Sequence, residues 1–338
     1  MADLIVAVGL QGLVTTSTNG VLWTDSIDPL LSERYGVAWG NNLFVAAGGY
    51  AGNDVYYTST DGTTWGVPLN TGLAYTMSLT WHDAAFGAGY FILVGDRDGY
   101  STNVAAIYDG ISWVESSPPT DWFGSLYGVK YVNGKFVTGD HMQAVHYCTP
   151  GGPWTDVYPD PSAPPYPASG LTHTAYKAPT YVISGSSGYI FSTTDLASWA
   201  LRTSAGPGDV NAIASGAGVF AIAGQNKHFQ YSPTGAIWTL GTPGPIGDGT
   251  WRFNDMIWVP SLSLFVAVGG NSGGSAEIWT SSNGINWSLA HTAPVAMGFC
   301  YIGVCLGQVT TGPTMDQIMR GCKWFNGGSF QGMYLGWR

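Results

Sequence analysis

The sequence predicts an all-β protein, a seven-bladed β-propeller with four-stranded blades, on two observations. A short motif closing on tryptophan recurs seven times, ending at Trp23, Trp65, Trp113, Trp154, Trp199, Trp238 and Trp287. An apolar run ending in glycine precedes every copy. Self-similarity at this period marks a repeat architecture, and a four-stranded unit of roughly 40 to 50 residues marks a propeller blade.

The apolar runs are residues 4–9, 43–48, 91–95, 136–139, 181–185, 220–224 and 264–269. They are short, β-branched or aromatic, and bounded by Gly, so they read as buried strands. Another strand precedes the run, as in Tyr35–Trp39, Tyr127–Tyr131, Val210–Ala214 and Phe253–Trp258. Gly40-Asn41 and Asn133-Gly134 follow it and supply the positive φ of a tight hairpin. A last strand starts near each Trp, because Asp61-Gly62 and Asn283-Gly284 are themselves hairpin turns. Glycine sits three residues before the Trp in six copies, and Leu196 takes that place in the fifth. One blade cannot bury both of its faces, so the Trp is expected to fill the wedge between neighbours. Helical periodicity is confined to Thr314–Arg320, behind Pro313.

The chain begins inside a blade, because Leu4–Gly9 has no strand before it. A composite first blade closed by the C-terminal segment is expected. Arg320–Gly327 resembles Tyr127–Gly134 and is the first choice for its inner strand. Gly298–Cys305 is the alternative, with the chain from Thr310 as an appendage; an eighth partial blade is a third option. Residues 1–338 are read as one propeller domain, with 288–338 forming the closing strand and an irregular segment.

Formal net charge is −10, yet only 9% of residues are charged. The 11 Lys and Arg form no cluster, which argues against a nucleic-acid partner. No long apolar stretch appears, so no membrane insertion is expected. Met1-Ala2-Asp3 has no basic n-region, so no Sec signal peptide is expected. Cys148, Cys300, Cys305 and Cys322 match no zinc or redox spacing and read as buried thiols. No cofactor is expected. His141 and His146 would point to opposite faces of a strand, so no metal site is expected there.

The Trp motif, clearest as Ser59-Thr60-Asp61-Gly62-Thr63-Thr64-Trp65, resembles the Asp-box (BNR repeat) of sialidase-like propellers. Ser59, Asp61, Thr64 and Trp65 match the Ser-x-Asp-x-Gly-x-Thr-Trp pattern, with one residue fewer between Asp and Trp. The resemblance implies a structural turn between third and fourth strands, away from the ligand face. It also raises sialidase chemistry, which requires three arginines, a Tyr activated by Glu, and an acid. None of the six arginines sits in the family's Arg motif, and Glu33, Glu115 and Glu277 are the only glutamates. No catalytic residue is assigned.

Binding is expected on the face shared by loops after the second and fourth strands. The first set supplies Tyr50, Asp54, Asp96, Arg97, Asp98, Asp140, His141, Gln225 and Asn226 as candidates, and the second set Trp122. Aromatic rings beside Asp and Asn suit a sugar, an apolar platform with polar atoms for hydroxyls. The same residues are also ordinary turn formers. A charge-poor, aromatic surface without a signal peptide suits a phage virion component made in the host cytoplasm. The expected role is a non-enzymatic tail or capsid-surface recognition or decoration module. Its expected partners are other virion proteins and a host cell-surface glycan. A bacterial propeller lectin, cytoplasmic or secreted without a Sec signal, is the alternative, and a glycan hydrolase the third reading.

Overall fold

A computed structural model describes residues 1–49, 54–73, 78–97, 102–118, 124–159, 170–246, 249–271, 275–293 and 300–309. Their strands form seven antiparallel sheets arranged as the blades of a β-propeller. Blade 1 is composite: Tyr301–Val309 pairs with Ala2–Gly9, followed outward by Leu13–Ser17 and Thr24–Ile27. The inner strands of blades 2 to 7 are Arg34–Gly40, Leu79–Gly87, Leu126–Val132, Leu171–Lys177, Ala212–Gly216 and Arg252–Val259. Each contacts the inner strand of the next blade, and Tyr301–Val309 touches those of blades 2 and 7, so the ring closes.

Six sheets have four strands. Blade 2 has three, Arg34–Gly40, Leu43–Gly48 and Val55–Ser59, and a single bridge from Tyr56 to Leu69 stands in place of the fourth. The closing strand corrects the first sequence expectation. The alternative at Gly298–Cys305 overlaps the real strand, whereas Arg320–Gly327 and the helix at Thr314–Arg320 lie outside the described residues. The pairing is long, from Ala2 opposite Val309 to Gly9 opposite Tyr301, and it ties the two terminal regions by backbone hydrogen bonds without leaving an edge.

The second strands are buried almost end to end, as in Leu264–Gly270, because a neighbouring blade covers each face. Between the blades lie seven apolar clusters, and each contains one box tryptophan. Trp287 of blade 7 stacks on Phe229 of blade 6, rings 4.4 Å apart and 7° from parallel. Trp113 meets Tyr56 of blade 2 edge-on at 5.2 Å. Trp23, Trp65, Trp154, Trp199 and Trp238 occupy the other five wedges.

The box itself is a turn. Asp61 Oδ1 accepts from the Thr63 and Thr64 amides at 2.8 and 2.7 Å, and the Gly62 amide donates to Ser59 Oγ at 2.8 Å. Burial opposes ionisation of Asp61, but these amides outweigh it and hold its carboxyl at about 2. Asn19, Asp109, Asp195 and Asn283 accept the same pair of amides in their own blades. Cys148, Cys300 and Cys305 are buried free thiols, raised by burial to about 12 for Cys148 and about 11 for Cys300.

Candidate functional site at the upper mouth of the axial channel

Six inner strands skip one residue in their pairing with the second strand. The skipped residues are Tyr35, His82, Tyr127, Thr172, Asn254 and Ile302. A β-bulge turns the side chain of its extra residue away from the regular alternation. All six, joined by Asn211 just before the inner strand of blade 6, line one cavity of about 320 Å³ on the axis. Every blade thus delivers one side chain to this upper mouth.

Rings occupy one side of it. Tyr35 and His82 lie 6.3 Å apart, His82 and Tyr127 5.2 Å, and Tyr127 and His141 6.1 Å. Tyr35 donates its hydroxyl proton to Glu33 Oε2 at 2.7 Å, and His82 Nε2 lies 2.5 Å from Asp96 Oδ2. The opposite side is polar: Thr172, Ser186, Asn211, Arg252 and Asn254. Asn254 Nδ2 donates to the Tyr301 carbonyl at 2.7 Å, and Arg252 Nη1 stands 3.5 Å from Asp209.

Below the bulges, charged side chains close the channel. Asp83 accepts from the amides of Ala84 and Val129 at 2.8 and 2.9 Å. Asp255 repeats this with Met256 and Val304 at 2.8 and 3.1 Å. Each aspartate therefore staples its own inner strand to the next one. Lys130 crosses the axis from blade 4 to reach Asp255 on blade 7, Nζ to Oδ1 2.8 Å. His173 Nδ1 donates to the Asn211 carbonyl at 2.8 Å, leaving Nε2 3.6 Å from Asp83 and 3.8 Å from Asp255. Burial would raise Asp83, but Lys130 and His173 keep it below the ordinary carboxyl value. Burial would lower Lys130, but the two aspartates hold it above its ordinary value.

Under this plug a second cavity of about 420 Å³ opens at the other end. Four residues past the bulge position, the inner strands place Trp39, Phe86, Tyr131, Tyr176, Ser215, Trp258 and Leu306 around it. Several of these rings lie flat on a glycine of the preceding blade. A Cβ on Gly40 would meet the Phe86 ring at 2.2 Å, one on Gly87 the Tyr131 ring at 2.0 Å, and one on Gly216 the Trp258 ring at 2.2 Å. The two cavities share no lining residue.

Of the sequence candidates, His141 lines the upper mouth and Asp96 stands behind it on His82. Asp140 is turned inward, accepting from the Met142 and Ala144 amides and facing His146 Nε2 at 3.1 Å. Asp54 accepts from Thr71 and from Trp81 Nε1. Arg97 faces Glu115 at 3.9 Å. Gln225 and Asn226 sit in a short 3-10 turn, where Gln225 Nε2 donates to the Gly249 carbonyl and Asn226 takes positive φ. Tyr50, Asp98 and Trp122 lie outside the described residues.

Sequence reasoning placed the binding face by its loops and missed the bulge residues on the inner strands. A signal existed: Tyr35-Gly36 and Tyr127-Gly128 repeat at the same register. The described arginines are dispersed. Arg34 is fully buried against Asp28 and the rings of Tyr57 and Trp65, and Arg202 donates to Ser192. Among the described residues no group of three His, Cys, Asp or Glu is placed to hold a metal ion.

No protein-family model matches the chain, and no curated protein does. Solved structures do match it in fold. The WD40 β-propeller domain of Doa1 aligns with a TM-score of 0.56 at 14% identity, covering 80% of this chain and 86% of that one. YCF48 from Cyanidioschyzon merolae aligns with a TM-score of 0.54 at 11% identity, over 81% and 94%. YCF48 bound to D1 peptide gives 0.55 at 13% identity, over 79% and 86%. At these identities the likeness is one of fold.

Proposed function

We propose that this chain is a non-enzymatic recognition module that receives a protruding group of a polypeptide partner in the upper mouth. The observation that carries this reading is the bulge register. Six bulges and Asn211 bring seven side chains of differing chemistry to one small cavity, whereas the same blades repeat nearly identical residues elsewhere. Fold alone does not specify function, so the site must carry the reading. The solved complex of YCF48 with D1 peptide supports a polypeptide ligand for a propeller of this shape.

A binding role also agrees with the state of the carboxylates. Asp83 and Asp255 are held by backbone amides, Asp96 by His82 and Glu33 by Tyr35. General acid–base work needs a carboxyl group that faces substrate and exchanges its proton. In the proposed setting the chain is a virion surface component, made in the host cytoplasm and assembled with other virion proteins, and the box turns support kinship with Asp-box propellers. A host-surface glycan is the second reading, favoured by the Tyr35 and Tyr127 rings opposite Thr172 and Asn254.

The test screens the purified chain against peptide and glycan arrays and repeats each hit with Tyr127→Ala. Loss of the hits supports the site; hits indifferent to the substitution place binding elsewhere. Mass spectrometry of purified particles tests the setting, and absence of the chain from them removes the virion assignment.

A further inference from the structure

We propose that the group received by the upper mouth is a cation, the ammonium or guanidinium end of a lysine or arginine side chain on a polypeptide partner. This rests on the reading of the mouth as the binding site and adds the chemistry of its ligand.

The hydrogen-bonding state of the mouth is the first argument. Three of its donors are committed to protein acceptors, and the Arg252 guanidinium at the rim faces Asp209. Tyr35 donates to Glu33, and His173 Nδ1 to the Asn211 carbonyl. The amide of Asn254 faces the Tyr301 carbonyl at 2.7 Å and Cys300 Sγ at 3.2 Å. An acceptor remains: Asn211 Oδ1 is shielded from solvent and accepts no hydrogen bond among the described residues. Apart from Arg252 at the rim, a carboxylate or phosphate would meet donors that already have acceptors, while an ammonium or guanidinium brings donors only.

Charge points the same way. Beneath the mouth, Asp83 and Asp255 face one ammonium, Lys130, and the imidazole of His173. Behind the ring side stand Asp96 and Glu33. The counter-charge is Arg252, which lines the rim, is about half exposed, and faces Asp209. A cleft whose low-dielectric walls carry an excess of one sign concentrates its field on an entering ion of the other. The Tyr35 and Tyr127 rings add π-faces on which a cation is attracted, within about 6 Å of a ring centre. A cavity of about 320 Å³ is at the lower end of ligand-site sizes, which suits one side chain rather than a folded surface.

The experiment uses the full chain and four blocked pentapeptides, Gly-Gly-X-Gly-Gly, with X as lysine, arginine, norleucine or glutamate. Binding is followed by NMR of the histidine rings. His82, His141 and His173 line the mouth, whereas His228 and His291 do not. The expected result is movement of the three mouth rings by the lysine and arginine peptides at millimolar concentration or below. The norleucine and glutamate peptides should bind at least about tenfold more weakly, a gap of roughly 1.4 kcal/mol. Tyr127→Ala should weaken the lysine peptide by a similar factor. Equal or stronger movement of the mouth rings by norleucine or glutamate would keep the mouth as the site and overturn the cation. Silence from all four peptides would also overturn it. A lysine peptide that moves only His228 or His291 would sink both this inference and the reading of the site.

Discussion

The box turns and the inner strands are both sevenfold, but only the turns are nearly uniform. At the wedge, five blades spend an Asp or Asn on the same two amides and every blade inserts a Trp toward its predecessor. At the axis the register is equally regular, yet the residue after the bulge is Gly36, Asp83, Gly128, His173, Asp255 or Gly303, with Ala212 at the matching place in blade 6. Geometry accounts for the contrast. Each wedge is a separate place, so one solution can be repeated. All axial side chains converge on one place, where seven like charges would repel and seven large rings would not fit. Symmetry has to break there, and Lys130 pairing across the ring with Asp255 is that break.

The largest expected effect tests the repeated side. Trp287→Ala removes a buried ring stacked on Phe229 and should cost about 3–5 kcal/mol, seen as a lower urea midpoint. Trp23, less buried, should cost clearly less on the same substitution. Equal losses would mean that the ring, not wedge packing, sets the cost. On the axial side, Lys130→Met leaves Asp255 buried without its cation and should cost about 3 kcal/mol. Adding Asp255→Asn should recover only part of that, because the amide offers one oxygen where the carboxylate accepts from Met256 and Val304 on two. A neutral single substitution would show that the plug does not hold the ring.

A third effect concerns His146, buried between Asp140 and Asp156 in blade 4. Burial would lower its pKa, but hydrogen bonds to the two carboxylates raise it from 6.5 to about 9. A raised folded value stabilises fully below the unfolded value and is lost as pH climbs through the folded one. Stability should therefore fall between about pH 6.5 and about pH 9, by on the order of 2–3 kcal/mol. His146→Gln should flatten this part of the midpoint-versus-pH curve; an unchanged slope would assign it to other groups.

The same contrast explains what was legible in the sequence. Repetition exposes the fold: the glycine-ended runs at residues 43–48 and 264–269 became strands Leu43–Gly48 and Leu264–Gly270. The candidate site is written in differences between copies, which periodicity averages away. Asp54 and Asp140 look like ligands in a list of loop residues, but such a list does not show their partners. Asp54 accepts from the distant Thr71 and Trp81, and Asp140 from the amides of its own turn. His82 and Tyr127 look like ordinary strand residues until a bulge, which depends on pairing with the neighbouring strand, turns them to the axis. The closing strand was misplaced for a related reason. Tyr301–Val309 pairs in register with Ala2–Gly9, and pattern similarity to another blade does not encode register.

The smallest effect separates two glycines at one box position. Gly62 and Gly110 both take positive φ, +74° and +97°. At Gly62 an added Cβ would meet Val6 and Leu4 of the preceding blade at 2.8 and 2.9 Å; at Gly110 it would meet nothing within 4 Å. Leu196, at φ 64° and 2% exposed, fills the same position in blade 5, so the backbone there tolerates a side chain where the wedge leaves room. Gly110→Ala should then cost only the left-handed penalty, roughly 1 kcal/mol. Gly62→Ala adds overpacking of the wedge and should cost about 1–2 kcal/mol more. Urea midpoints of the two variants decide it. Equal costs would reduce the box glycine to a matter of backbone conformation and remove the box turn from the set of contacts that join one blade to the next.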